Sequence, residues 1–92
     1  MAQTITTNDW TQITGLDGSK TYVLQAQYTS EYGGGNGVFG AKPIPVMWLQ
    51  VGSAPQSTDV GAISEGIKVN ASTAVYVKTQ AKPVKITVQE VI

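Results

Sequence analysis

Apolar residues alternate with polar ones at a period of two in several segments of the chain. In the last segment, Val84, Ile86 and Val88 alternate with polar residues, and the same alternation recurs at residues 21–26, 67–71 and 75–78. Because successive side chains of a strand point to opposite faces, this spacing predicts half-buried antiparallel strands. No window of a dozen residues shows a helical apolar period free of Gly or Pro. The pattern therefore predicts an all-β fold.

The segment 46–51 departs from this alternation, because it is apolar on both faces. It contains Val46, Met47, Trp48, Leu49 and Val51. A strand of this kind is typical of the centre of a sheet or of a strand that crosses an interface. Both interpretations stay open from the sequence.

Turn residues divide the chain into seven or eight short strands. Asp17 and Gly18 form a two-residue hairpin signal, which predicts pairing of residues 10–16 with 19–27. Residues 80–83 predict a second hairpin, between 74–79 and 84–92. Thr, Val and Ile together supply 29 of the 92 residues, as expected of strands. We expect one domain, residues 1–92, folded as a small antiparallel β-sandwich or barrel of the jelly-roll type.

A long Gly-rich loop is predicted at residues 28–45. It carries Tyr28 and Tyr32 before a glycine run and Phe39 after it. Loops of this length in small domains usually have a function or lack order. Two interpretations stay open: the aromatic side chains fold back on the core of their own chain, or they are buried against another subunit.

Residues 1–8 form a possible N-terminal arm that contains Ile5. Such an arm, and likewise the C-terminal strand, could complete the edge of a sheet in a neighbouring subunit. The alternative is that the arm closes a sheet of its own chain. The candidate interface residues are Ile5, Tyr28, Tyr32, Phe39 and Ile44.

The composition argues against several classes of function. The chain has no Cys, His or Arg, so it lacks a thiolate nucleophile, the commonest general base and the commonest metal ligands. The six carboxylates are scattered along the chain. No stretch has both the glycine before the lysine and the following helix that a phosphate-binding loop requires. We therefore expect no enzyme activity, no catalytic residues, no metal and no cofactor. A small hydrolase is the weaker alternative.

Charge and hydropathy also limit the partners. Six lysines balance six carboxylates, and charged residues make up 13% of the chain. A chain without a basic patch is not expected to bind nucleic acid. No apolar run is long enough for a membrane helix, and the first residues do not resemble a signal peptide. We therefore expect synthesis in a cytoplasm. A surface with so little charge favours association.

Two stretches of the chain share a pattern of strands and turns with a known family. The first is residues 10–25, WTQITGLDGSKTYVLQ, in which a turn leads into a strand of the form Tyr-x-Leu-Gln. The second begins with the apolar strand around Trp48, continues through SAPQ at 53–56, GIKV at 66–69 and AVYVKT at 74–79, and ends in a Val/Ile-rich strand. Both stretches resemble small virion structural proteins of tailed bacteriophages. The Gly-rich insertion after Gln27 departs from the pattern of that family.

The resemblance implies a β-sandwich located in the virion, which decorates or cements a capsid or forms part of a head fibre or tail. Its partners would be copies of itself as a homo-oligomer and other virion proteins such as the major capsid protein. The alternative function is a tail or fibre tip module that binds a host receptor or glycan. The family supplies no catalytic residues to transfer to this chain.

The docking interpretation of the loop is testable by deletion of Gly33–Gly37. The shortened protein is expected to fold, because the deleted residues contribute no apolar side chain, and to assemble less well. Oligomer mass by light scattering and binding to particles measure the effect. Unchanged values for both would contradict a docking role.

Overall fold

The computed structural model describes residues 2–5, 9–28, 43–79 and 84–92. They form eight strands: β1 Ala2–Ile5, β2 Thr11–Gln12, β3 Thr21–Tyr28, β4 Val46–Gln50, β5 Ala62–Ser64, β6 Gly66–Asn70, β7 Val75–Lys78 and β8 Val84–Val91. Sheet I has the order β1-β8-β3-β6, and sheet II has the order β2-β7-β4-β5. All strand pairs are antiparallel. The predicted all-β sandwich is confirmed.

The strand order follows from one long antiparallel ribbon. Along this ribbon β1 pairs with β8, β2 with β7, β3 with β6 and β4 with β5. Successive pairs lie alternately in sheet I and sheet II. The wrapped ribbon is then closed by pairing of β3 with β8 and of β4 with β7. This arrangement is that of an eight-stranded double-sheet jelly roll.

The core lies between the inward faces of the two sheets, where the predicted alternation is confirmed. Sheet I contributes Tyr22, Leu24, Ala26, Val69, Val84, Ile86 and Val88. Sheet II contributes Val46, Trp48, Val75 and Val77. Full burial of side chains of this size stabilises the fold by about 1.5–3 kcal/mol each. Trp48 and Tyr22 are the large aromatic side chains of this core, at 3% and 7% exposure.

The first predicted hairpin is wrong, because β2 and β3 lie in different sheets. The amide of Ile13 donates to Val75 O at 2.9 Å, and the amide of Ala71 donates to Lys20 O at 3.0 Å. Residues 13–20 therefore run beside residues 71–75 and form a corner of the ribbon. Gly18 lacks the positive φ that a type I′ turn needs. Among the described residues, positive φ occurs only at Gly15, with φ 79°.

The second predicted hairpin is also wrong, since β7 lies in sheet II and β8 in sheet I. An alternating pattern is the same whether two strands lie side by side or face each other across a core. Ladder length distinguishes the two cases. β8 forms eight residue pairs with β3, whereas β7 has only four residues that could pair with β8. The longer ladder satisfies more backbone groups.

The N-terminal arm closes a sheet of its own chain. Ala2 pairs with Thr87 and Ile5 pairs with Val84, and Ile5 is only 4% exposed. The C-terminal strand β8 lies between β1 and β3, so the expectation that β8 forms an edge is corrected. The apolar strand 46–51 corresponds to β4, an interior strand of sheet II, as one of the two interpretations predicted.

The role of Ile5 is tested by comparing Ile5→Ala with Ile63→Ala. Ile5 is buried and Ile63 is 63% exposed, so the first substitution leaves a cavity and the second does not. We expect the free energy of unfolding to fall by about 2–4 kcal/mol in Ile5→Ala and by less than about 0.5 kcal/mol in Ile63→Ala. Urea unfolding measures both. Equal losses would show that β1 is not packed as described.

Candidate functional site

Of the five predicted interface residues, the structure describes the side chains of Ile5 and Ile44. Ile5 is buried in the core of its own chain, and its role at an interface stays a prediction. Ile44 is half-buried and packs against the core. Tyr28 ends β3. Its side chain, and all of Tyr32 and Phe39, lie outside the described residues, so their role stays a prediction.

The base of the Gly-rich loop is fixed to sheet I. Gln27 forms an antiparallel bridge with Pro43, and the amide of Ile44 donates to Ala26 O at 3.2 Å. On the same side of β3, the amide of Ala26 donates to Glu65 O at 2.8 Å. The chain therefore leaves and re-enters the sandwich at neighbouring positions along β3.

The free side of β6 is protected against pairing with another chain. Ser64 Oγ donates to Gly66 O at 2.8 Å, and Gln50 Nε2 donates to Asn70 O. Between these two capped carbonyls lies exposed Lys68. Side chains of the same chain that cap the carbonyls of an edge strand, and charged residues on that strand, commonly prevent edge-to-edge association. Of the two edges of sheet I, β1 is thus the better candidate for edge contacts.

Sheet II carries a second group of large apolar side chains on the side that faces away from the core. We call this side the outer face of sheet II. Leu49 pairs with Tyr76, and Met47 lies between Ile63 and Lys78 in the ladder. Tyr76 is only 9% exposed, yet it does not belong to the core cluster. Apolar residues packed outside the core are a common feature of interaction surfaces.

Exposed apolar residues extend this face toward the edge strand β5. Val60 is 76% exposed and Ile63 is 63% exposed. Ile63 is directly opposite Met47, which is half-buried. The sequence indicated this surface only through the segment 46–51 that is apolar on both faces. Nothing in the sequence pattern marked Val60 or Ile63 as exposed.

Trp10 precedes β2 and Lys78 ends β7, and the Trp10 ring lies close to Gly61, which precedes β5. Lys78 Nζ lies 6.0 Å from the centroid of the Trp10 ring, a cation–π distance. Trp10 Nε1 is buried without a hydrogen-bond partner among the described residues. The ring thus contributes mainly apolar contact area to this region.

A shallow depression of about 480 Å³ lies at the corner of the ribbon. Its lining combines hydroxyl and amide groups with apolar ones, namely Gln12, Ile13, Thr14, Gly15, Leu16, Gly18, Ala71, Thr73, Ala74 and Val75. It contains no charged side chain. Hydrogen bonding and apolar contact are therefore the chemistry that it offers.

The turn beside this depression is organised by Asp17. Its carboxylate accepts hydrogen bonds from the Ser19 amide at 2.9 Å and from the Ser19 hydroxyl at 2.7 Å. The Lys20 amide donates to Asp17 O at 3.0 Å. The hydrogen bond from the Ser19 amide is the main reason that the pKa of Asp17 is lowered, followed by the Ser19 hydroxyl, and Lys20 adds a smaller effect.

The described residues contain no cluster of three or more side chains that could hold a metal ion. They also contain no helix with the length and hydropathy needed to cross a membrane.

Comparison of the chain with known protein families, with curated proteins and with solved structures found no match.

The lowered pKa of Asp17 predicts how the corner responds to acid. A carboxylate with a depressed pKa in the folded state contributes stability above its unfolded value and loses that contribution as the pH falls through the folded value. We expect Asp17 to titrate below 3.8, its ordinary value, and Ser19 amide exchange to rise in the same range. NMR titration of the carboxyl carbon measures this. Titration of Asp17 at or above 3.8 would contradict the described hydrogen bonds.

Proposed function

We propose that this protein is a non-enzymatic structural protein of a tailed-phage virion, which decorates or cements the capsid. It acts through surface contacts with copies of itself and with other virion proteins such as the major capsid protein. The single observation that carries this proposal is the jelly-roll strand order, which is frequent among viral capsid domains. It agrees with the resemblance of residues 10–25 and 46–92 to small virion proteins.

The shape of the domain suits a contact of this kind. A protein–protein interface of ordinary size takes roughly 800 Å² from each partner. The chain measures 38 × 34 × 18 Å, so either broad face of the sandwich is large enough. The outer face of sheet II supplies apolar side chains for such a contact, and β1 supplies an edge for strand pairing.

The charge distribution supports contacts made by shape and apolar burial. The net charge is zero, and on the outer face of sheet II Lys78 stands among Met47, Leu49 and Tyr76. Association driven by apolar burial depends little on salt, because screening acts on charges. Binding to capsid shells should therefore persist at high ionic strength.

A receptor- or glycan-binding tip module is the second candidate. The observation that favours it is the depression at the corner of the ribbon, because sugars are bound by hydroxyl and amide groups combined with apolar surface. Jelly rolls also occur among lectin domains. A glycan array distinguishes the candidates. Decoration predicts no binding, whereas saturable binding that is lost when Ala71→Phe fills the depression would favour the tip module.

The number of copies in a purified particle tests the decoration function directly. A protein that cements a shell repeats with the shell lattice, so we expect copies on the order of hundreds, spread over the capsid surface. Quantitative mass spectrometry and electron cryomicroscopy of particles measure number and position. A few copies at one vertex, or absence from particles, would contradict decoration.

A further inference from the structure

The short strand β1 fills a site beside β8 at the edge of sheet I. Ala2 pairs with Thr87 and Ile5 pairs with Val84, and among the described strands β1 has β8 as its one neighbour in the sheet. Ile5 is 4% exposed and belongs to the core cluster. We call the edge of β8, together with the core space that Ile5 fills, the acceptor site.

Alternate residues of β8 direct their backbone groups into the acceptor site. The Ala26 amide donates to Glu65 O at 2.8 Å on the β6 side of β3, so the residue before it, Gln25, directs its backbone groups to the β8 side. Gln25 pairs with Thr87. The backbone groups of Thr87 therefore face β3, and those of the residue before it, Ile86, face β1.

β1 is held by fewer pairs than the strands that close the fold. Its ladder with β8 has four residue pairs, whereas the ladder between β3 and β8 has eight. A short edge strand with one ladder opens at a lower free energy than the core strands. Opening leaves backbone groups of β8 without partners and empties the core space of Ile5, so the open acceptor site is strongly favoured to fill again.

The strand that fills the acceptor site shows which segment fits it. Residues 2–5, with the sequence AQTI, contain no charged residue, no proline and no glycine, so nothing in this segment opposes strand pairing. A second copy of the chain carries the same segment, with Ile5 at the same position. Exchange between copies therefore replaces each contact of β1 by an identical one, which makes it a low-cost route to a dimer.

We propose that the acceptor site also takes β1 of a second copy of this chain, and that reciprocal exchange of this strand joins two copies. Residues 6–10 tether β1 to β2, and a short tether gives a strand an effective concentration in the millimolar range at its own site. Exchange therefore competes with the closed chain when copies are present at about millimolar concentration. Its use between neighbouring copies on a capsid rests on the proposed function, whereas the exchange itself does not.

The pairing of residues 4 and 85 allows exchange to be detected by disulfide formation. Thr4 lies opposite Lys85 in the ladder. Because the backbone groups of Ile86 face β1, this neighbouring pair is non-hydrogen-bonded, and its Cβ atoms are close enough for a disulfide. The chain has no Cys, so Thr4→Cys and Lys85→Cys each carry a single thiol. A mixture of the two variants forms a mixed disulfide when β1 of one copy lies beside β8 of the other.

Val23→Cys and Lys68→Cys are the matched control pair. Val23 and Lys68 lie opposite each other in the ladder between β3 and β6, both are exposed, and β3 and β6 are not exchanged in the proposal. A chain that carries both Thr4→Cys and Lys85→Cys is the second control, because it should form the disulfide within one chain. Urea unfolding confirms that each variant is folded before it is compared.

Each mixture is unfolded in urea, refolded at about millimolar concentration in a glutathione buffer and analysed by intact mass, so that slow opening of β1 does not hide exchange. We expect the heterodimer of Thr4→Cys with Lys85→Cys to exceed the two homodimers by about tenfold, because pairing in one ladder gives the thiols a high local concentration. The mixture of Val23→Cys with Lys68→Cys should show no such excess.

Two results would overturn the proposal. If the chain with both substitutions at residues 4 and 85 is folded and forms no disulfide within one chain, β1 does not fill the acceptor site as described. If that disulfide forms but the heterodimer shows no more excess than in the control mixture, β1 of a second copy is not an occupant. Both results are measured on the isolated protein, so failure of this inference is distinguishable from failure of the decoration function, which the number of copies in particles tests.

Discussion

The fold depends on two central strand pairs, β3 with β8 in sheet I and β4 with β7 in sheet II. Among the described strands, the remaining ladders join strands along one ribbon, and these two pairs join successive parts of the wrapped ribbon. The β3–β8 ladder is the longest, with eight residue pairs. Its inward side chains, among them Leu24 and Ile86 at 0% exposure, meet the inward side chains of β4 and β7. Apolar burial between the sheets thus stabilises the same pairs that close the ribbon.

This closure determines which surfaces remain for partners. β8 becomes an interior strand and β1 takes the edge beside it, so the arm that could have reached a neighbour completes its own sheet. At the opposite edge, Ser64 and Gln50 cap carbonyls of β6. Sheet II differs, because Tyr76, Leu49 and Met47 lie on its outer face, outside the core cluster. In the described part of the chain, the β1 edge and this outer face are therefore the candidate contact surfaces.

Strand positions were predictable from the sequence, whereas strand partners were not. Alternation at Val84, Ile86 and Val88 defines a strand and its buried face, but it does not say which strand lies beside it. The sequence predicts a turn at Asp17 correctly but assigns this turn to a hairpin. The corner instead follows from ladder contacts with residues 71–75, which are distant in sequence. The exposure of Ile63 likewise depends on its place at a sheet edge, which no local pattern encodes.

Nuclear Overhauser effects between Hα atoms test the closed ribbon most directly. In antiparallel sheets the Hα atoms of non-hydrogen-bonded pairs approach closely. The account predicts cross-peaks between Leu24 and Val88 and between Trp48 and Val77, because both are non-hydrogen-bonded pairs of their ladders. Strong cross-peaks that instead join residues 10–16 to 19–27, or 74–79 to 84–92, would contradict the jelly roll and the surfaces inferred from it.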